Sequence, residues 1–454
     1  MFALDGGNSL GKDFRGRRPP ETGTGQRRAK ARLIAEEWVA AGLDAIAIGP
    51  NDWLLGEAFV FDLAERTELP AIAANLVCAG GERPFPAARV VQKNGLTIGV
   101  VGVTSGDIDQ CLATDPLAAA KEAYALLPKV DATVLLWPTD GEDANVAARE
   151  GLPYDFVLDA SGRSSKAVPQ RAGDSWLLGG GTKTKGLGVV TLELAGGTGF
   201  WPPNYEKELD KQLTQLENRK QRAENRAGNA ANERSKATWL AKAATFEQNM
   251  ADVRAQKSKF QGGGANQLTL RNIALTDAVA DHPATKERVE AVKQSFADLE
   301  DASGAEVLAR PMRFSAGPYA GTEVCISCHA TQYNQWRQTG HARAIGTLVA
   351  VSRHRDEDCF SCHVTGGTPA EAAGFPVVIE TSADIGGGNN VQCEACHGPS
   401  RAHSKDPTNP AHTPQKSPPE SLCVACHTPE QTEDRFVFEE YLSKVTHPNP
   451  PATE

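Results

Sequence analysis

Histidine is missing from the first 281 residues of this 454-residue chain, and all ten histidines lie from His282 onward. A dinuclear metal site of the hydrolytic kind draws on several neutral imidazoles, so residues 1–281 offer no ordinary ligand set for one. Methionine is nearly absent: Met1, Met250 and Met312 are the only three. No apolar run reaches the roughly 18 residues that a membrane-spanning helix needs. Residues 319–454 also hold too little aliphatic material for a conventional core, which calls for some other apolar filling.

What is present answers that need. One five-residue pattern occurs four times: Cys325-Ile-Ser-Cys328-His329, Cys359-Phe-Ser-Cys362-His363, Cys393-Glu-Ala-Cys396-His397 and Cys423-Val-Ala-Cys426-His427. Two cysteines three apart can add as thioethers to the two vinyl groups of one haem, and the next residue then sets an imidazole on its iron. A lone CxxC reads more often as a zinc knuckle or a redox pair, but here a histidine follows every pair. Four covalently bound haem c groups are therefore expected, with His329, His363, His397 and His427 as proximal ligands. Stacked macrocycles would supply the interior.

The remaining cysteines, Cys78 and Cys111, could pair with one another but read rather as ordinary buried thiols, since nothing in the sequence places them together. Net charge is −10, and residues 321–454 carry most of it, with nine basic against sixteen acidic residues. That balance favours a basic redox partner over nucleic acid or an anionic membrane. Haem attachment of this type takes place outside the cytoplasm, so a periplasmic or extracellular location is expected. The opening Met1-Phe2-Ala3-Leu4-Asp5-Gly6-Gly7 has no basic or long apolar stretch, and a secretory leader missing from this sequence is the corresponding expectation.

Residues 1–200 alternate short apolar runs with helical stretches, which predicts an α/β domain. Strands are expected at 2–4, 44–48, 71–77, 90–92, 97–103, 132–137, 156–158 and 177–194, and helices at 26–41, 117–127 and 143–149. Asn94-Gly95 predicts a hairpin turn. The run Gly179-Gly-Gly-Thr-Lys-Thr184 lacks the spacing of a phosphate-binding loop and reads as a tight turn. Residues 201–260 become rich in charged residues and alanine, with Leu209, Leu213 and Leu216, then Trp239, Ala243, Phe246, Met250 and Val253, at helical spacing. Gly228-Asn229 breaks the pattern, so an antiparallel helical hairpin is expected, with a narrow apolar stripe suited to a coiled-coil or subunit contact. Residues 261–318 read as a linker with a short strand and a helix, and 319–454 as the mainly α and loop multihaem domain.

The N-terminal region resembles the 5′-nucleotidase-like metallophosphoesterases. The resemblance rests on Leu4-Asp5-Gly6-Gly7-Asn8, Ile48-Gly49-Pro50-Asn51-Asp52, Ala73-Ala74-Asn75-Leu76, Gly95 to Val100 and Leu135-Leu136-Trp137-Pro138. It implies mixed sheets with flanking helices. Where that family has a bridging aspartate this chain has Asn8, its Gly-Asn-His-Glu motif becomes Gly49-Pro50-Asn51-Asp52, and its later ligand histidines fall at Pro138, Ser161 and Arg163. The resemblance thus implies the fold without the metal chemistry, and phosphoesterase activity is expected to be absent. Asn8, Asn51 and Asp52 read as turn and cap residues.

The C-terminal region resembles the tetrahaem cytochrome c-554 family in Tyr319 to His329, Trp336-Arg-Gln-Thr-Gly-His341-Ala-Arg-Ala344 and Cys393 to His403. Counting ligands apart from that resemblance, the scarcity of methionine leaves His341, His354, His403, His412 and His447 to supply sixth ligands, so bis-histidine coordination and comparatively low potentials are expected. The resemblance implies that His403 serves the iron of His329, His447 that of His397 and His341 that of His427. It also implies a five-coordinate haem at His363, which His354 or His412 could still reach. His282 reads as a surface residue. An electron carrier is the primary expectation, with reduction of a small ligand such as nitric oxide, nitrite, hydroxylamine or peroxide at the His363 haem as the alternative.

Overall fold

The computed structural model describes residues 1–12, 24–106, 108–139, 144, 148, 151–160, 170–179, 186–197, 199–230, 232–260, 266–276, 278–298, 304–432 and 435–447. The helix expected at 143–149 and the turn at 180–184 lie almost wholly outside these. The chain forms two compact units: Ile72–Gly106 with Leu112–Val279, and Phe2–Ala71 with Asp107–Cys111 and Ala280–Glu454.

The N-terminal segment opens with β1 (Leu4–Asp5), α1 (Thr24–Ala40), β2 (Ala45–Ala47), α2 (Pro50–Trp53), α3 (Glu57–Thr67) and β3 (Ala71–Ile72). The three strands form one sheet in the order β1, β2, β3, with β1 and β2 parallel. Every residue of β2 is buried, which is why it reads as an unbroken apolar run rather than an alternating one. Pro50 opens α2, where its missing N–H costs nothing.

Further along, β4 (Leu76–Cys78) and β7 (Cys111–Ala113) make a two-stranded sheet, while β5 (Ala88–Lys93) and β6 (Leu96–Gly102) form a hairpin. Asn94 and Gly95 both take positive φ, 51° and 78°, as a two-residue turn matched to strand twist requires. After α4 (Pro116–Ala125), capped by the Asp115 carboxylate accepting from Ala118 N at 2.8 Å, come β8 (Ala132–Trp137), β9 (Phe156–Asp159), β10 (Gln170–Ala172) and β11 (Ser175–Gly179). The six-stranded sheet runs β10, β11, β9, β8, β6, β5, parallel at its centre and antiparallel at both edges. All six residues of β8 are buried, and Val101, Leu135, Trp137, Tyr154, Val157 and Leu177 share its core.

The single strand expected at 177–194 is two. β11 belongs to the six-stranded sheet, whereas β12 (Gly186–Glu193) pairs antiparallel with β14 (Asn266–Ala274) in a second sheet that also holds β13 (Phe200–Trp201). Between β13 and β14 stand α5 (Tyr205–Gly228) and α6 (Glu233–Lys259). Lys220 pairs with Glu247 at 2.6 Å and Lys257 with Asp210 at 2.6 Å, so the start of α5 meets the end of α6 and the helices are antiparallel. Trp176, Trp201, Tyr205 and Phe260 interlock edge to face at the base of this hairpin.

The chain then gives α7 (Pro283–Asp298), α8 (Gly304–Ala309) and the motif region, where helices are short. An apolar cluster of Val307, Phe314, Tyr319, Ile345, Leu348, Phe360, Val364, Ile379 and Ile385 gives this region a protein core of its own, more than its composition suggested. Among the described residues no helix is long and apolar enough to cross a membrane.

Candidate haem centres

Each motif sits on a helical turn. Backbone His329 N donates to Cys325 O at 2.9 Å, His427 N to Cys423 O at 2.9 Å and His363 N to Phe360 O at 2.8 Å, while Cys393–His397 is a short helix throughout. Helical spacing at three and four residues sets both thiols and the imidazole on one side. The motifs meet in pairs: the Cys325 side chain lies beside that of Cys393, and the Cys362 side chain beside that of Cys426.

Three motif histidines face a second imidazole. The ring centres of His329 and His403 are 6.4 Å apart, those of His341 and His427 are 6.1 Å apart, and those of His397 and His447 are 6.1 Å apart. A metal held between two imidazoles needs ring centres about 6 Å apart, from two bonds of about 2 Å plus about 1 Å from each nitrogen to its ring centre. The residues therefore fit an iron at three places. His363 has no histidine ring opposite it among the described residues, and its Nδ1 lies 2.7 Å from the Ala344 carbonyl.

Hydrogen bonds orient the imidazoles from behind. His397 Nδ1 bonds the Gln415 carbonyl at 2.5 Å, and His447 Nδ1 bonds Gln335 Oε1 at 2.8 Å. Such partners fix the ring and leave the other nitrogen to bind metal. Burial lowers the pKa of His341, reinforced by His427, and burial alone lowers that of His427. Burial, with His397 and His329, does the same for His447. The favoured neutral form is the one that ligates.

His354 and His412 are placed differently. His354 is 6% exposed, and neither ring nitrogen has a hydrogen-bond partner; Gly304 packs near it. His412 lines a cavity of about 450 Å³ with Pro318, Pro399, Arg401, Ala402 and Lys405. His282 is exposed and contacts Thr285 Oγ1 at 3.1 Å.

Two groups escaped the sequence reading. Asp356, Glu357 and Asp358, just before the second motif, meet basic residues from the chain start: Lys30 bonds Asp356 at 2.6 Å and Asp358 at 2.7 Å, Arg27 pairs with Glu357 at 3.3 Å, and Lys12 pairs with Asp358. Gln26 Nε2 donates to the Arg355 carbonyl at 2.8 Å. The second group is the buried Glu394 inside the third motif, whose backbone donors lie just before the first motif and just after the third. An acidic triplet and a glutamate at a variable motif position carry no signal of their own, because the partners are remote in sequence.

At the chain start the carboxylate of Asp52, fully buried, accepts from Asn8 N, Gly49 N, Leu10 N and Gly11 N at 2.8 to 2.9 Å. Asn8, at φ 60°, accepts from Asn51 N at 2.9 Å. These side chains are thus committed to backbone donors. Burial pushes Asp5 up to about 7, partly offset by bonds from Gly7 N and Ser9 Oγ. Cys78 and Cys111 differ from expectation: both are disulfide-bonded.

The family described as Cytochrome c554 and c-prime matches residues 324–398, a match that implies covalently bound haem c in this stretch. No curated protein matches the chain. Among solved structures, sulfate thiohydrolase SoxB of Thermus thermophilus is 15% identical, with 78% of this chain and 50% of that one covered at a TM-score of 0.43. A 5′-nucleotidase precursor, also from Thermus thermophilus, is 13% identical over 74% of this chain and 58% of that one, TM-score 0.39. The NAD nucleotidase of Haemophilus influenzae is 12% identical over 42% of each chain, TM-score 0.33. The chain spans about half the length of these proteins, from 42% to 58%.

Proposed function

We propose that residues 319–454 hold four haem c groups and pass single electrons between redox partners outside the cytoplasm. The observation that carries this reading is the set of three histidine pairs at the spacing of an iron, each pair including the histidine of a CxxCH motif. When bound, haem c supplies a one-electron couple. The chain's own residues do the rest. The eight motif cysteines tether, His329 with His403, His397 with His447 and His427 with His341 ligate, and Gln415 and Gln335 orient two of the rings. The lack of methionine ligands favours low potentials. The acidic excess of residues 321–454 suits a partner with a basic docking face.

One observation favours a second activity at the same centres. No histidine ring stands opposite His363 among the described residues, so a haem held by His363 would be open to a small ligand of the nitric oxide, nitrite, hydroxylamine or peroxide class. Absorption and electron paramagnetic resonance of the matured protein, with and without nitric oxide, test both readings. Three low-spin haems and one high-spin haem that binds nitric oxide are expected. Four low-spin haems indifferent to it would leave only the carrier role, and fewer than four haems by mass would overturn the assignment itself.

Neither reading needs phosphoesterase chemistry. Residues 1–281 hold no histidine, and Asp52 is fully engaged with backbone. The exposed faces of α5 and α6 remain the surface on which the chain would self-associate.

A further inference from the structure

We propose that Glu394 is a positioning residue that locks the first and third haem motifs into one pair and fixes a negative charge beside both haems. The inference rests on the four-haem reading and adds a residue that the CxxCH pattern leaves free to vary.

Glu394 is 0% exposed. Its oxygens accept from Ala320 N at 2.9 and 3.1 Å, from Gly321 N at 2.7 Å and from Ser400 N at 2.7 Å. Ala320 and Gly321 lead into the first motif, and Ser400 follows the third. Gly321 has φ 91°, and a Cβ there would collide with the Met312 carbonyl, so the strand of chain that Glu394 grips has one shape available.

Gln392 continues the grip. Its Oε1 accepts from Thr322 N at 2.7 Å, and its Nε2 donates to Gly387 O at 2.6 Å and Asn389 O at 2.9 Å. Thr322 Oγ1 in turn lies 3.5 Å from Cys393 Sγ. These contacts end where the Cys325 and Cys393 side chains meet. A carboxylate that only capped a turn would not bridge segments 74 residues apart.

No lysine or arginine pairs with Glu394 among the described residues, so backbone dipoles alone balance it. Both oxygens accept in a fully buried site, and removing the carboxylate would orphan the N–H groups of Ala320, Gly321 and Ser400. A fixed anion stabilises the ferric state of a neighbouring haem over the ferrous one, so it lowers the potential of each haem it adjoins. Among the described residues no buried carboxylate links the second motif to the fourth, which makes that pair an internal control.

The test uses full-length protein matured with haem outside the cytoplasm. Glu394→Gln keeps the shape, removes the charge and turns one acceptor into a donor facing backbone N–H groups. In a potentiometric titration followed by electron paramagnetic resonance, two of the four potentials should rise and the same two signals change, with the others unmoved. Glu394→Asp keeps the charge and shortens the reach. The same two signals should change, with smaller shifts in potential. Four unmoved potentials in Glu394→Gln, or four moving together, would overturn the proposal. If that variant yields no holoprotein, an Asp variant indistinguishable from the parent overturns it. The haem content of the parent, measured separately by mass, tests the four-haem reading on its own.

Discussion

His397 and His447 face one another with ring centres 6.1 Å apart and planes 25° from parallel, and Gln335 Oε1 holds His447 from behind at 2.8 Å. A residue near the C-terminus is thus aimed at a motif 50 residues earlier by a glutamine from yet another helix.

Replacing that imidazole should expose one iron. His447→Ala is expected to convert one low-spin haem to a high-spin species that binds carbon monoxide, leaving the haem count unchanged. Gln335→Ala should broaden the same signal without abolishing it. Electron paramagnetic resonance of the two variants beside the parent checks both.

The contact between α1 and the acidic run before the second motif should be acid-labile. Burial alone would raise Asp358, but Lys30 and Lys12 outweigh it and bring the group down to about 2. A depressed carboxylate contributes stability that is present above its ordinary value and lost as pH falls through its folded one, here from about pH 4 to pH 2. Lys30→Ala strips the nearer cation from Asp356, which is 3% exposed and keeps, among the described residues, only Arg353 at 3.7 Å, and should cost about 2 kcal/mol near neutrality, discounted for the partial exposure of Lys30. Urea titrations across pH should show the acid-side slope flattened in the variant.

Asp5 should act in the opposite sense. Its folded value of about 7 lies above the ordinary 3.8, so the stability it contributes is whole below about pH 4 and falls away as pH rises through 7. Asp5→Asn is expected to be stabilising by about 2 kcal/mol at pH 8 and nearly neutral at pH 4. Equal effects at the two pH values would contradict the assignment.

Phe360 lies inside the second motif yet is 1% exposed in the apolar cluster of the C-terminal region. Phe360→Ala should therefore lower stability by about 3–5 kcal/mol, as a large cavity does. Phe360→Leu should recover most of that. Thermal unfolding of the holoprotein measures both.

Several elements were legible because a local rule fixed them. The Asn94-Gly95 turn follows from two left-handed residues between apolar runs, and β8 from a six-residue run, five of them apolar, too short for a helix. Helix α1 was expected at 26–41 and spans Thr24–Ala40, a difference of end fraying. The 177–194 stretch misled because apolar periodicity does not say which sheet a strand joins, and β11 and β12 join different ones. Glu394 was invisible because donors such as Ala320 N come from far along the chain.

The sequence alone determined the covalent chemistry: four CxxCH motifs, three methionines in all, and no histidine before His282, since these depend only on residue type and spacing of three or four along one turn. Tertiary structure decided what distance along the chain leaves open. It set which imidazole faces which, left His363 without a facing ring among the described residues, put Cys78 and Cys111 into disulfide linkage, and brought Lys30 onto Asp356 and Glu394 onto Ala320. Partners separated by tens to hundreds of residues meet only when the chain folds, and no local pattern records the meeting.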